Sequence, residues 1–347
     1  MDKVLFAGTA VTREGAVGSL YRLAHGGEWE KAADIPADAA VQAIVQHPAC
    51  DHIVFAATRK GIYKSEDRGA HWRNVGASAD PKIQFWSVEV DPRDPDHLFA
   101  GTSPIGVFES RDCGETWTAC EVNHPERFNI RFGASRVMRL AFHPADPDVL
   151  YGIAEINGFM LSTDGGKTWN ARPEGLVELA GQEHLRNKIE TDDETEGMFD
   201  AHAVTTTPAA PDSLFYLCRM GVFESRDQGR TFEDLAVRNF APFSYCRDLR
   251  VAAGQPRKLY ACFSIASRSN AGAVYASDDL GRNWRRADPQ MTARSTIMGI
   301  NVHKDDGGGV ISVTRGGQVF YTFDGGENWV EKQLPAEAGD AFCAAMI

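Results

Sequence analysis

The sequence predicts an all-β fold, a seven-bladed β-propeller of four-stranded blades, and three observations predict it. The pattern Ser-x-Asp-x-Gly-x-Thr-Trp recurs at Ser65 to Trp72, Ser110 to Trp117, Ser162 to Trp169, Ser225 to Phe232, Ser277 to Trp284 and Thr322 to Trp329. Between copies a second pattern returns, in which a short apolar strand is followed by His-Pro or Asp-Pro, then Pro-Asp, then another strand. The two ends of the chain look like complementary halves of one unit. Four strands per unit, repeated along the whole length, close radially.

Each residue type in the box has a physical reason. The Ser and Asp side chains accept hydrogen bonds from the amides of a tight turn, Gly supplies a positive φ, and Trp covers the hairpin with a large apolar face. A carboxylate repeated in every unit does the same structural work in each, so the box Asp residues are not read as catalytic. A decayed copy runs from Arg22 to Trp29, where Ala24 stands in the Asp position.

The linking pattern reads His47-Pro48, Asp91-Pro92 to Pro95-Asp96, His143-Pro144 to Pro147-Asp148 and Thr207-Pro208 to Pro211-Asp212. These are turns between a first strand, A, and a second, B. The unit is therefore strand A, Pro-rich turn, strand B, loop, strand C, box, strand D. The chain opens on Val4-Leu5-Phe6-Ala7-Gly8-Thr9, which aligns with strand B at Leu98-Phe99-Ala100-Gly101-Thr102. It closes on Phe342 to Ile347, an orphan strand A. Pairing of the N- and C-terminal segments completes the first blade and leaves no open sheet edge. We read residues 1–347 as one domain with an inserted lid or binding loop at 176–200.

Composition bounds the partners. With 43% hydrophobic and 10% aromatic residues the chain can bury a full core. A formal net charge of −12 excludes a general binder of nucleic acid or of an anionic membrane, though not a local basic pocket. No apolar run reaches membrane-spanning length. The first residues are too briefly apolar for a signal peptide, and the seven cysteines lack motif spacing. Both point to reduced thiols and a cytoplasmic location.

The repeats resemble those of the BNR or Asp-box propellers, a superfamily that includes sialidases, sortilin-type receptors, xyloglucan-active glycosidases and a photosystem II assembly factor. The resemblance covers the whole chain. It implies that the boxes share one face and that ligands are met on the other, by the D to A and B to C loops.

Aligned strands A give an aliphatic row, Ile44, Val88, Leu140, Val204, Leu249 and Ile300, which is core. The preceding row is Ala43, Ser87, Arg139, Ala203, Asp248, Gly299 and, by the same count, Ala344. Small residues suit the crowded axis, and Arg139 and Asp248 break that rule; a charge there must pair or meet a ligand. Nearer the mouth come Trp86, His202 and Arg247, then Gln84, Arg136, Asp200 and Tyr245. The B to C loops add Arg59, Arg219 and Arg315, with Glu155 and Arg268.

Guanidinium groups match carboxylates and phosphates in a bidentate fashion, so this gathering of arginines points to an anionic ligand. The alternative is that they brace adjacent blades. The loop His124 to Phe132 is expected to form another wall of the mouth. Glu183, His184, Asp200 and His202 match no metal-ligand spacing, and neither a metal nor a cofactor is expected.

Two functions follow. The first is an enzyme, of hydrolase or lyase type, acting on an anionic, carboxylate-bearing or sugar-like small molecule or glycan in the axial pocket. Arg136, Arg139 and Arg247 would hold the charge, with Arg59, Arg219, Arg315 and Trp86 around them; His202 or Asp248 would move a proton and Tyr245 would assist. A typical sialidase is not expected, because the Arg-Ile-Pro motif is absent and seven blades replace six. The second is a scaffold binding a protein or peptide partner through the same loops.

Overall fold

A computed structural model describes residues 3–24, 27–76, 80–128 and 133–347. His25 and Gly26 of the decayed box, and residues 129–132 of the loop expected to wall the mouth, lie outside them. Seven antiparallel sheets form the ring. Their strands A, on the axis, are Asp340–Met346 for blade 1, then Val41–Gln46, Gln84–Val90, Val137–Phe142, Ala201–Thr206, Tyr245–Ala252 and Ile297–His303 for blades 2 to 7.

Blade 1 is closed by the chain ends. Its strand A pairs with Leu5–Ala10 in the register Leu5 to Met346 and Ala7 to Ala344. Six sheets have four strands. The sheet of blade 4 has a fifth, because Glu121–Asn123, leaving blade 3, pairs in parallel with the outer strand Thr168–Ala171.

The boxes act as hairpin clamps. In the fourth-blade copy the Ser162 Oγ accepts from the Gly166 amide at 3.0 Å and donates to Asp164 Oδ1 at 2.8 Å. Asp164 Oδ1 accepts from the Thr168 amide at 3.0 Å, and Trp169 Nε1 donates to the Gly166 carbonyl at 2.8 Å. The box glycine has positive φ as expected, and so does the residue before it, whether glycine or not: Arg68, Cys113, Gln228 and Leu280 lie at φ 56 to 61. The sequence did not announce that second left-handed residue. Its amide is tied to the turn between strands A and B, Cys113 to the Asp96 carbonyl and Gly165 to that of Asp148 at 2.9 Å each. Boxes and A to B turns therefore share one face of the ring.

One irregularity recurs in every strand A. Against strand B the register slips by one residue, so that Gln42, Trp86, Met138, His202, Arg247, Met298 and Phe342 are each left without a partner in the ladder. A β-bulge re-aims the side chain it expels, and all seven turn to the axis. The bulge in blade 1 also corrects the alignment made from sequence. Cys343, not Ala344, is the counterpart of Ala43 and Asp248, and Ala344 belongs to the aliphatic row.

The insertion at 176–200 is built into the wall rather than hung from it. Leu176, Leu179, Leu185, Met198 and Phe199 join the core between blades 4 and 5. Glu196, fully buried, accepts the amides of Ile189, Glu190 and Thr191 at 2.7 to 3.1 Å. Among the described residues no helix is long and apolar enough to cross a membrane.

Candidate functional site

On the face away from the boxes the axis opens into a cavity of about 440 Å3. Among the described residues six arginines line it, Arg59, Arg136, Arg219, Arg247, Arg268 and Arg315, and two carboxylates, Glu155 and Asp200. Position on the fold explains the gathering. Arg247 and Tyr245 come from strand A of blade 6, Arg136 and Asp200 stand just before strands A of blades 4 and 5, and the others sit on B to C loops.

Most of these groups have partners. Arg136 contacts Glu155 and lies 4.2 Å from the Trp86 ring centroid, with Arg59 5.2 Å from the same ring. Burial and the charge of Arg136 pull the Arg59 guanidinium below its ordinary value. Arg219 donates to Asp200 at 2.8 Å and to Asn187 of the insertion at 3.2 Å. Arg315 is 3.5 Å from Asp340 and 5.4 Å from the Phe342 ring. Arg247 differs. Among the described residues it makes no ion pair or side-chain hydrogen bond, yet the Coulomb fields of Tyr245, Glu155 and Asp200 outweigh burial and raise its pKa.

Tyr245 is buried beside it, its phenol pushed up to about 12 by burial against the pull of Arg247. Its ring packs on His202 with centroids 4.6 Å apart. His202 donates Nδ1–H to the Cys246 carbonyl at 2.7 Å, leaving Nε2 3.5 Å from Asp200 without a well-formed hydrogen bond. Burial opposes ionisation of Asp200, but His202 and Arg219 hold its carboxyl well below the usual range.

Below the mouth the channel narrows to about 50 Å3. There Arg139 meets Asp248 at 3.1 Å across the axis. Asp248 also accepts the amides of Leu249 and Ile300 and lies 3.5 Å from Arg250. Arg139 and Asp248 thus line the throat rather than the mouth, and Asp248 is spent on protein partners. Glu89, which the sequence reading did not single out, completes this cluster; burial pushes its carboxyl up to about 7, with Arg139 opposing and Asp248 assisting. His184 pairs with Asp234 on the outer strand of blade 5, so it is not gathered with His202.

His47, Asp96 and Cys113 lie close enough to hold a metal ion. However, His47 Nδ1 accepts the amides of Ala49 and Cys50, as His143 Nδ1 accepts those of Ala145 and Asp146. A neutral imidazole with that lone pair engaged carries its proton on Nε2, which is then no ligand. The histidine is a turn residue repeated between blades.

The BNR/Asp-box repeat family matches residues 160–171, the box of blade 4. Over 140 residues the chain is 29% identical to the probable oligoxyloglucan-reducing end-specific xyloglucanase of Neosartorya fischeri. That alignment takes in 37% of this chain and only 17% of the relative's own length. Among solved structures, a GH74 enzyme of Niastella koreensis superposes with a TM-score of 0.63 at 16% identity, covering 95% of this chain and 47% of that one. YCF48 bound to D1 peptide superposes with a TM-score of 0.53 at 13% identity, covering 85% and 81%. At such identities the structural likeness is one of fold. The chain is a seven-bladed β-propeller built on BNR/Asp-box repeats.

Proposed function

We propose that this propeller is an enzyme of hydrolase or lyase type that takes an anionic small molecule of sugar size into the axial mouth. The observation that carries the reading is Arg247, a half-buried cation at the base of a cavity of about 440 Å3, without a counter-charge in contact among the described residues. Desolvating a charge without pairing it is expensive, and an entering carboxylate or phosphate relieves that cost.

Hydrolysis and elimination both break a C–O bond, and the departing oxygen needs a proton. Tyr245 faces the cavity two residues from Arg247 and keeps its proton at neutral pH, so it is the donor. His202 positions the Tyr245 ring. Neither carboxylate suits the donor's part, since Asp200 is held ionised and Glu155 contacts Arg136. They accept ligand hydroxyls instead. Asp248 and Arg139 close the throat beneath. Sugar scale and hydrolase class are consistent with the xyloglucanase relative; xyloglucan itself is not part of the proposal.

Titration calorimetry with glucuronate and with glucose tests the binding step. The uronate is expected to bind and glucose not, and Arg247→Ala should weaken the uronate by about 10- to 100-fold, the worth of a charge-assisted contact. Turnover of a chromogenic aryl glucuronide should fall in Tyr245→Phe with binding retained. Equal, weak binding of both sugars would sink the reading.

A second reading is a scaffold that holds an acidic peptide. Arg268 is exposed on the rim, and the similar fold of YCF48 has been solved with a peptide bound. Tight binding of an acidic peptide with no response to any small anion would favour it.

A further inference from the structure

The charges at the mouth do not cancel. Among the described residues, six guanidinium groups face three carboxylates, Glu155, Asp200 and Asp340, each in contact with one arginine of its own. Three positive charges are left over on a chain whose net charge is −12. One belongs to Arg59, which lies over Trp86. The other two belong to Arg247 and Arg268, on the same side of the cavity as Arg315.

That side is built from two neighbouring blades. Arg247 stands on the bulge of blade 6, Arg268 on the B to C loop of the same blade, and Arg315 on the B to C loop of blade 7. Arg315 Nε is buried without a hydrogen-bond partner. Burial first of all, with the charges of Arg247 and Arg268 adding to it, pulls the Arg315 guanidinium below its ordinary value against the opposing fields of Asp340 and Tyr245. Three like charges thus share one corner, where among the described residues the one acid in contact is Asp340, 3.5 Å from Arg315. Next to that corner, on blades 4 and 5, Glu155 and Asp200 offer acceptors.

A carboxylate brings one charge and two oxygens in a plane, enough for one guanidinium fork. A phosphomonoester brings close to two charges and three oxygens spread over a cone. We infer that the ligand's anionic group is a phosphomonoester seated among Arg247, Arg268 and Arg315, with a sugar or polyol body directed at Glu155 and Asp200. This rests on the proposed small-molecule site and specifies which anion it takes.

The test is calorimetry on the whole protein with glucose 6-phosphate, glucuronate, inorganic phosphate and glucose. Titrations are run at about pH 5 and about pH 7.5, either side of the second phosphate ionisation near 6. At the higher pH the phosphate ester should bind at least about tenfold more tightly than the uronate. Most of that margin should vanish at the lower pH, while the uronate, ionised at both, changes little. The same pocket groups face both ligands, so the difference isolates the ligand's own charge. Arg268→Ala, at an exposed position that spares the fold, should narrow the margin several-fold.

A uronate that binds as well as the ester at the higher pH would overturn the inference and leave the anion site standing. Inorganic phosphate binding as tightly as the ester would overturn the placement of the body. No binding by any of the four would remove both the inference and the site beneath it.

Discussion

Arg139 and Asp248 reach across the axis from blades 4 and 6, two blades apart in the ring, and meet at 3.1 Å. Each leaves a row whose other members are Ala43, Ser87, Ala203, Gly299 and Cys343, and the small neighbours make room for the pair. Burial raises the Asp248 pKa, so the contact contributes less than its geometry suggests. Removing one member nonetheless strands the other charge in the throat. Asp248→Asn is expected to lower stability by about 3 kcal/mol. Urea unfolding reads the loss, and calorimetry with a mouth ligand should show an affinity within about twofold of the wild type, since Asp248 does not line the mouth.

Glu89 sits under that pair, facing Arg139 and Asp248. Its carboxyl has an ordinary value of 4.5 and is raised to about 7 in the folded chain. The folded state then binds more protons than the unfolded one between those values, so the stabilisation is full below about 4.5 and is lost as pH rises to about 7. Glu89→Gln should leave stability near pH 4.5 unchanged and raise it by about 1 to 3 kcal/mol at about pH 8. Equal urea midpoints for mutant and wild type at the higher pH would contradict this.

Glu196 has the opposite sign. Burial opposes its ionisation, but the amides of Ile189, Thr191 and Glu190 favour it and leave the pKa below its ordinary value. Its contribution is present above the unfolded pKa and lost as pH falls through the folded one. Glu196→Ala should cost about 3 kcal/mol and open residues 187–195 to limited proteolysis, because three backbone amides lose their shared acceptor at once. Ile189, which touches the cavity, should then loosen.

Gly166 has φ +86, and a Cβ there would stand 2.2 Å from Phe99 of the preceding blade. Gly166→Ala should cost about 3 kcal/mol or more through strain and overlap together. Gly254, at φ +67 with nothing within 4 Å of the added carbon, isolates strain alone. Gly254→Ala should cost about 1 kcal/mol. Thermal unfolding of the two variants side by side separates the contributions.

The fold was legible because its determinants are local and repeated. Six boxes announce six C to D turns, and the chain ends declare their own pairing. The mouth was legible in part for the same reason: Arg59, Arg219 and Arg315 occupy one place in three blades, and alignment alone assembles them with Arg136, Tyr245 and Arg247. What the sequence could not carry is who pairs with whom. Nothing in the chain links Arg139 to Asp248 over 109 residues, or separates the throat from the mouth by a single step of register. Glu89 carries no signal in the sequence, because it lies two residues beyond the axial row, at a position where a charge breaks no pattern. The burial of the 176–200 insertion depends on Leu176, Leu185 and Phe199 finding the core, which a loop-like composition hides.

The bulge in each strand A has a consequence for how such a molecule diversifies. The expelled residue is surplus to the ladder, so its side chain answers to the axis it faces rather than to the pairing of strands A and B. Gln42, Trp86, Met138, His202, Arg247, Met298 and Phe342 form an alphabet of seven letters written around the axis of one repeated scaffold. On the proposed reading, replacing Arg247 would change what the axis welcomes; replacing Leu249, two positions on, would open a hole in the core instead.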